Sequence, residues 1–265
     1  MAALSINGRA IADEILTGLA AQVSALGVPI QLAAVCVGDD AGLRSFVRIK
    51  QKAAQSIGVQ FSSYYFDANQ SDEARDALKF LSADESVHGI FIELPLPEGW
   101  NAKEFTALIP KEKDVDVLAG GTLLPPAVRA LQYVVDAHAI VISGVRVAVV
   151  GAGALVGEPV AHWLKQQGAH VEVLDVTTKD PSSICQAADI VIAATGVPGL
   201  ITDAWIKEGA TVIDYGYGKK GDEYVGDVER ESVQKKAGLM TPVPGGMGPL
   251  VVAAVLENLL VLATR

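Results

Sequence analysis

Cysteine is scarce. The 265 residues hold two, Cys36 and Cys185, both inside apolar runs. No disulfide framework or cysteine zinc site can be built from them, and both read as small core residues. Basic charge is short as well: 31 Asp and Glu face 21 Lys and Arg, giving a net charge of −10 and a pI near 4.9. That excludes nucleic acid and anionic membrane as main partners. No apolar run reaches the ~18 residues of a membrane span, and the opening MAALSINGRAIADEI lacks the basic and apolar regions of a signal peptide. A cytoplasmic protein is expected. His88, His138, His162 and His170 are scattered without metal-ligand spacing, so no metal is expected, and Trp100, Trp163 and Trp205 stand alone as packing residues. What is plentiful is apolar surface, at 50% of residues against 20% charged, which fits a packed globular chain. Length over ~150 suggests one to two domains.

Short hydrophobic runs alternate with helix-period segments, the pattern of an α/β fold with mainly parallel strands. Ile11, Ile15, Leu16, Leu19 and Val23 form one helical stripe in 7–26. Residues 31–37 read as a buried strand ending at Gly38-Asp39-Asp40. A helix over 44–56, a strand over 59–66, a helix over 71–82 and a strand over 88–94 follow, the last stopped by Pro95-Leu96-Pro97. At 111–126 (KEKDVDVLAGGTLLPP) the pattern breaks, as at a hinge between domains. A helix over 127–138 leads across to strands at 145–150, 170–175, 189–194 and 211–215, with a helix over 158–167. The last helix is expected over 250–264, after the turn-rich PVPGGMGP.

The segment VRVAVVGAGALVGEPVAHWLKQQGAHVEVLD is a βαβ unit. Gly151 and Gly153 permit a tight turn and close approach of a pyrophosphate to the helix N-terminus. Asp175, at the end of the next strand, can accept hydrogen bonds from ribose hydroxyls. Gly157 stands one place beyond the usual third glycine, which is Val156 here. A 2′-phosphate would face the charge of Asp175 with no arginine in Gly151–Gly157 to offset it, so the cofactor is NAD or NADP with NAD favoured.

In the other half Phe46 and Lys50 lie one helical turn apart, on one face. VHGIFIELPLP brings Glu93 to a strand end, KDVD follows at the hinge, and TPVPGGMGP stands near the C-terminus. Together these resemble the bifunctional methylenetetrahydrofolate dehydrogenase/methenyltetrahydrofolate cyclohydrolase family over nearly the whole chain. The resemblance implies an N-terminal α/β folate-side domain and a Rossmann-like dinucleotide-binding domain with a cleft between them. The expected division is 1–120, rejoined by the C-terminal helix 249–265, and 121–248. It also implies tetrahydrofolate derivatives as substrates and a homodimer.

By that resemblance the catalytic residues are Lys50 and Glu93. Phe46, Ile92, Leu94, Asp116, Pro244, Gly245, Gly246, Met247 and Gly248 contact substrate, with Asp116 holding the pterin by hydrogen bonds. Gly151, Ala152, Gly153, Gly157, Asp175 and Tyr217 are the expected cofactor contacts. The reaction implied is hydride transfer from 5,10-methylenetetrahydrofolate to the nicotinamide, then hydrolysis of the methenyl product to 10-formyltetrahydrofolate.

The sequence departs from the family inside the site. Phe46 replaces a tyrosine, Leu43 a serine, Glu93 a glutamine, Val117 a glycine, and Ala152-Gly153 an arginine–serine pair. If Glu93 touches Lys50 it favours the ammonium and withdraws a base from the hydrolytic step, while Leu43 and Phe46 push the other way by desolvation. Hydride transfer, which needs positioning more than a proton acceptor, is expected to survive better than hydrolysis. Two alternatives stand beside this one: a catalytically impaired folate- or dinucleotide-binding homologue acting as sensor or partner, and a two-domain α/β dehydrogenase of a small acid. The second leaves KDVD and TPVPGGMGP unexplained.

Overall fold

A computed structural model describes residues 2–38, 41–221 and 223–265. Asp39 and Asp40, expected at the end of the first long strand, lie outside the described residues. In chain order the elements are β1 (Leu4–Ser5), α1 (Gly8–Leu26), β2 (Gln31–Val37), α2 (Ala41–Ser56), β3 (Gln60–Phe66), α3 (Ser71–Ala83), β4 (Gly89–Ile92) and α4 (Ala102–Thr106). Then come α5 (Pro126–Ala137), β5 (Arg146–Val150), α6 (Gly157–Gln166), β6 (His170–Leu174), α7 (Pro181–Ala187), β7 (Ile190–Ala193) and β8 (Thr211–Asp214). The chain closes with β9 (Gly218–Lys220), β10 (Glu223–Val225), α8 (Arg230–Val233), β11 (Leu239–Met240) and α9 (Met247–Ala263). They form two compact units, Asp13–Pro126 with Val252–Arg265 and Met1–Ala12 with Ala127–Val251.

The unit containing Asp13–Pro126 is built on a parallel sheet ordered β3-β2-β4. Strand alternation divides its core. Leu32, Ala34, Cys36 and Phe91 pack with Leu19 and Val23 of α1, Val47 and Ala54 of α2, and the Val252–Leu262 face of α9. Ala33, Val35, Ile90 and Ile92 pack on Leu78 and Leu81 of α3 and Phe105 of α4. β4 ends at Ile92, two residues short of the expected Leu94. Glu93 still donates its N–H to Val35 O (2.9 Å); beyond it Pro95 has no N–H to continue a ladder.

The other unit carries a sheet ordered β1-β11-β8-β7-β5-β6, parallel throughout. The chain runs from β5 outward to β6 and returns past β5 to β7, so the strand order reverses between β5 and β7. In parallel sheets the crevice at the carboxyl ends of such a pair is where ligands bind. α9 begins at Met247, three residues before the expected start. Gly248 and Pro249 therefore sit in its first turn, where a missing N–H leaves no hydrogen bond unmade. The short polar elements α4, α7 and the β9–β10 hairpin have too little hydrophobic period to be read from sequence. α7 is set by Asp180, whose side chain accepts from Ser183 N, with Pro181 at the first helical position.

Candidate active site

α2 buries Val47 and Ala54, and helical spacing puts Lys50 on the same face between them. On β4 the side chain of Phe91 points to the α2 side, and two residues on, past the strand end, that of Glu93 reaches Lys50 there. The result is an ion pair: Lys50 Nζ lies 2.8 Å from Glu93 Oε2, with both side chains 14% exposed or less. The ammonium also sits over the Phe91 ring, 4.2 Å from its centroid. Burial pushes the Lys50 pKa down. The charges of Glu93 and Asp116 and the Glu93 hydrogen bond more than reverse this, so the net shift is upward. Cys36, on the same sheet face, has its thiol pushed up to about 12, first by burial and then by Glu93. It is no nucleophile.

The KDVD segment runs beside β4, with Ile90 N bonded to Lys113 O (2.7 Å) and Ile90 bridged to Asp114. Its two aspartates differ in kind. Asp114 is 3% exposed; its carboxyl group accepts from Asp116 N (3.1 Å) and Ala119 N (2.7 Å), so it shapes the loop. Asp116 joins the lysine cluster electrostatically. Burial lifts its pKa to about 6 against the pull of Lys50, with Glu93 and Asp114 adding to the rise. Asn258 of α9 fixes this loop from behind, donating to Val115 O and Leu124 O at 3.0 Å each. Val117 has φ 61°, a left-handed conformation that glycine adopts at no steric cost and a β-branched residue does not.

Phe46 is half-buried one turn before Lys50, and Leu94 packs partly on the α3 side of the core. The Ile92 side chain lies wholly in that core at 2% exposure. In the TPVPGGMGP loop Pro244 and Gly248 are exposed, Gly245 is half-buried, and Gly246 and Met247 are buried. Gly246 and Gly8 each have a packing reason to be glycine, since a Cβ on Gly246 would come within 2.4 Å of Pro242 O and one on Gly8 within 2.0 Å of Gly246 O.

The glycines of the β5 turn separate in the same way. A Cβ at Gly151 would lie 2.2 Å from Ala194 O, and one at Gly157 would lie 1.8 Å from Gly151 O. These two let chain segments meet. Gly153 is exposed and a Cβ there would meet nothing within 4 Å, so its side is open to a ligand. Asp175 follows β6. Its carboxyl accepts from Thr177 Oγ1 (2.7 Å) and Thr177 N (2.8 Å), which hold its pKa below the usual value. Tyr217, after β8, stacks on Tyr224 with ring centroids 4.7 Å apart. An open-sided glycine turn and a low-pKa carboxyl just past the next strand fit a dinucleotide.

Sequence reasoning missed a buried polar cluster in this unit. Asp214, 3% exposed, accepts from Gly216 N (2.8 Å), Asp227 N (3.1 Å) and Val228 N (3.0 Å). Burial lifts its pKa to about 6. The only trace in the sequence is an aspartate closing an apolar strand, VID, and another in GDV.

Fold and site thus define a two-unit α/β protein with a Rossmann-type glycine turn in one unit and a buried lysine–carboxylate cluster in the other. Comparison with known proteins names the group. Residues 6–116 match the tetrahydrofolate dehydrogenase/cyclohydrolase catalytic domain and residues 125–265 the NAD(P)-binding domain of the same family. The chain belongs to the tetrahydrofolate dehydrogenase/cyclohydrolase family. It is 36% identical over 270 residues to the bifunctional protein FolD of Methanosarcina barkeri, covering 96% of this chain and 94% of that one. Among solved structures, the Trypanosoma brucei methylenetetrahydrofolate dehydrogenase-cyclohydrolase, complexed with NADP cofactor and inhibitor, superposes with a TM-score of 0.94 at 33% identity, over 100% of this chain and 98% of that one. The Campylobacter jejuni bifunctional enzyme gives 0.90 at 32%, over 97% of each.

Proposed function

We propose that this chain oxidises 5,10-methylenetetrahydrofolate to 5,10-methenyltetrahydrofolate with NAD(P), and that hydrolysis onward to 10-formyltetrahydrofolate is weakened. The observation that carries the reading is the Lys50–Glu93 ion pair beside Asp116. A bound nicotinamide dinucleotide supplies the hydride acceptor. Gly151, Ala152, Gly153, Gly157, Asp175 and Tyr217 are the residues assigned to hold it. Phe46, Ile92, Leu94, Asp116, Pro244, Gly245, Gly246, Met247 and Gly248 are assigned to the folate, Ile92 through its backbone because its side chain is committed to the core.

Departure of a hydride from the methylene bridge leaves a cationic methenyl group. Two carboxyl groups against one ammonium give the Lys50 cluster a net negative charge at neutral pH, which stabilises that cation. The later addition of water needs a proton acceptor. An ammonium held by Glu93 cannot serve as one, so the second step is the slower. With the lysine and both carboxyl groups assembled, the non-catalytic alternative gains no support.

Asp175 supports NAD over NADP. Its hydrogen bonds keep it ionised, and Gly151–Gly157 contains no cation to receive a 2′-phosphate. A homodimer belongs to the same reading. β6 is an edge strand of its sheet and exposes Val173, with Val176 just beyond it. Cytoplasmic residence is supported by two buried free cysteines. No helix among the described residues is long and apolar enough to cross a membrane.

The test follows methenyltetrahydrofolate absorbance with methylenetetrahydrofolate and either NAD or NADP, for wild type and Lys50→Ala. Accumulation of the methenyl product, faster with NAD and reduced by about 10²-fold or more in Lys50→Ala, is expected. Absence of the methenyl band with both nucleotides would overturn the reading.

A further inference from the structure

We propose that Asp227 is a positioning residue for dinucleotide binding, holding the loop after β7 in the shape that the crevice between β5 and β7 requires. The inference rests on the reading above, in which the dinucleotide lies against the Gly151 turn.

Two segments flank that crevice. One is the turn after β5. The other is the segment after β7, Ala194 to Pro198, and the two are in close contact: a Cβ on Gly151 would lie 2.2 Å from Ala194 O and 3.2 Å from Thr195 N. Any shift of the second segment therefore reshapes the first. The sheet does not hold it beyond Ala194, whose N–H bonds to Val150 O (2.8 Å).

Asp227 holds it instead. One oxygen, Oδ2, accepts from the N–H of Thr195, from Thr195 Oγ1 (2.9 Å) and from Gly196 N (3.0 Å). Thr195 Oγ1 in turn accepts from Val197 N (3.1 Å). A single atom thus fixes two successive residues directly and the third, Val197, through the Thr195 hydroxyl. Asp227 is itself anchored: its N–H donates to Asp214 Oδ1 (3.1 Å), and its carbonyl accepts from Ile201 N (2.9 Å). Asp214 N donates to Thr241 Oγ1 (2.7 Å), at the head of the TPVPGGMGP loop. The anchor of the β7 loop is therefore continuous with that of the other conspicuous loop of this unit.

The second oxygen marks the residue as more than a packing element. Asp227 is 1% exposed, and its Oδ1 is buried with no hydrogen-bond partner among the described residues. An idle buried oxygen opposes stability. A group kept in spite of that is expected where a functional loop must be placed. The contact needs an acceptor at the Oδ2 position and no more, so an amide oxygen can supply it.

The experiment is calorimetric titration of the full-length protein with NAD, with NADP and with tetrahydrofolate, alongside thermal unfolding, for wild type, Asp227→Ala, Asp227→Asn and Thr195→Val. Asp227→Ala is expected to weaken dinucleotide binding about tenfold or more while tetrahydrofolate affinity stays within about twofold, and Asp227→Asn to remain within about threefold of wild type. Thr195→Val removes the hydroxyl and leaves both N–H bonds. It should weaken the dinucleotide by roughly three- to fivefold with little change in melting temperature. Should Asp227→Ala fail to fold, Thr195→Val and Asp227→Asn decide the matter. Dinucleotide affinity unchanged in Thr195→Val, or loss of both ligands in equal proportion in any folded variant, overturns the proposal. A wild type that takes up tetrahydrofolate but neither dinucleotide overturns the reading beneath it, which the variants alone could not do.

Discussion

At the scale of single residues the chemistry turns on which force sets the charge of Lys50. Its surroundings are dry, and dryness alone would release the proton and yield a neutral amine. Glu93 at 2.8 Å prevents this, with Asp116 in support. A glutamine at 93 would keep the length and a hydrogen-bond acceptor while removing one negative charge. Burial would then face only Asp116, and the lysine pKa would fall toward the working range. Glu93→Gln is accordingly expected to raise the rate of methenyltetrahydrofolate hydrolysis by about tenfold or more near pH 8, while the dehydrogenase step slows, because one of the two charges opposite the methenyl cation is lost. Decay of the methenyl band with and without dinucleotide measures the two separately. Hydrolysis no faster in Glu93→Gln than in wild type would show that the charge on Lys50 does not limit that step.

At the scale of elements, α9 carries the folate-side unit as much as the sheet does. Asn258 is 5% exposed and bonds two carbonyls of the 111–126 segment, one of them at Val115 next to Asp116. Asn258→Ala leaves both carbonyls short of a donor and should lower the unfolding free energy by about 2–4 kcal/mol, read from urea denaturation. A loss below about 0.5 kcal/mol would mean that water replaces the amide. Such a role was not legible in the sequence, because a lone asparagine in an apolar helix looks the same whether it faces a loop or solvent. β2 was legible residue for residue, since QLAAVCV is apolar on both faces and its ends are marked. The Lys50–Glu93 contact was legible as a possibility, through helix period and strand end. The start of α9 was not: Gly248-Pro249 carries turn signals, and only the first-turn tolerance of proline reconciles them with a helix. Asp214 and Asp227 were hidden for a different reason. Aspartate is seldom fully buried, and these two are joined by backbone N–H groups that leave no side-chain pattern.

For the whole molecule the acidic composition meets carboxyl groups whose pKa is raised, Asp114 and Asp116 in one unit and Asp214 in the other. Asp116 and Asp214 each have a pKa of about 6 in the folded chain against an ordinary 3.8, raised first by burial. A raised folded-state pKa means that the native state binds the proton more tightly than the unfolded one. The stabilisation is complete below the unfolded value and is lost as pH rises through about 6. For Asp214, 3% exposed, the difference is on the order of 3 kcal/mol. The carboxyl groups with lowered values, Asp84, Glu104, Asp175, Asp180, Asp189 and Glu229, work in the opposite sense. Their stabilisation is lost only as pH falls through those lowered values, and all are largely solvated, so each contributes little. Lys50 acts only at alkaline pH, where its contribution disappears as pH rises through its raised folded value. Between about pH 8 and pH 5 the aspartates with raised values therefore dominate, and the urea midpoint should rise as pH is lowered across that window. Relief of the −10 net charge acts in the same direction, so the decisive comparison is with Asp116→Asn. Among the described residues no hydrogen bond uses its carboxyl group, and the amide removes one titration while leaving the global charge nearly unchanged. A pH dependence shallower than that of wild type assigns the effect to burial at Asp116, and an identical one would assign it to the charge of the surface.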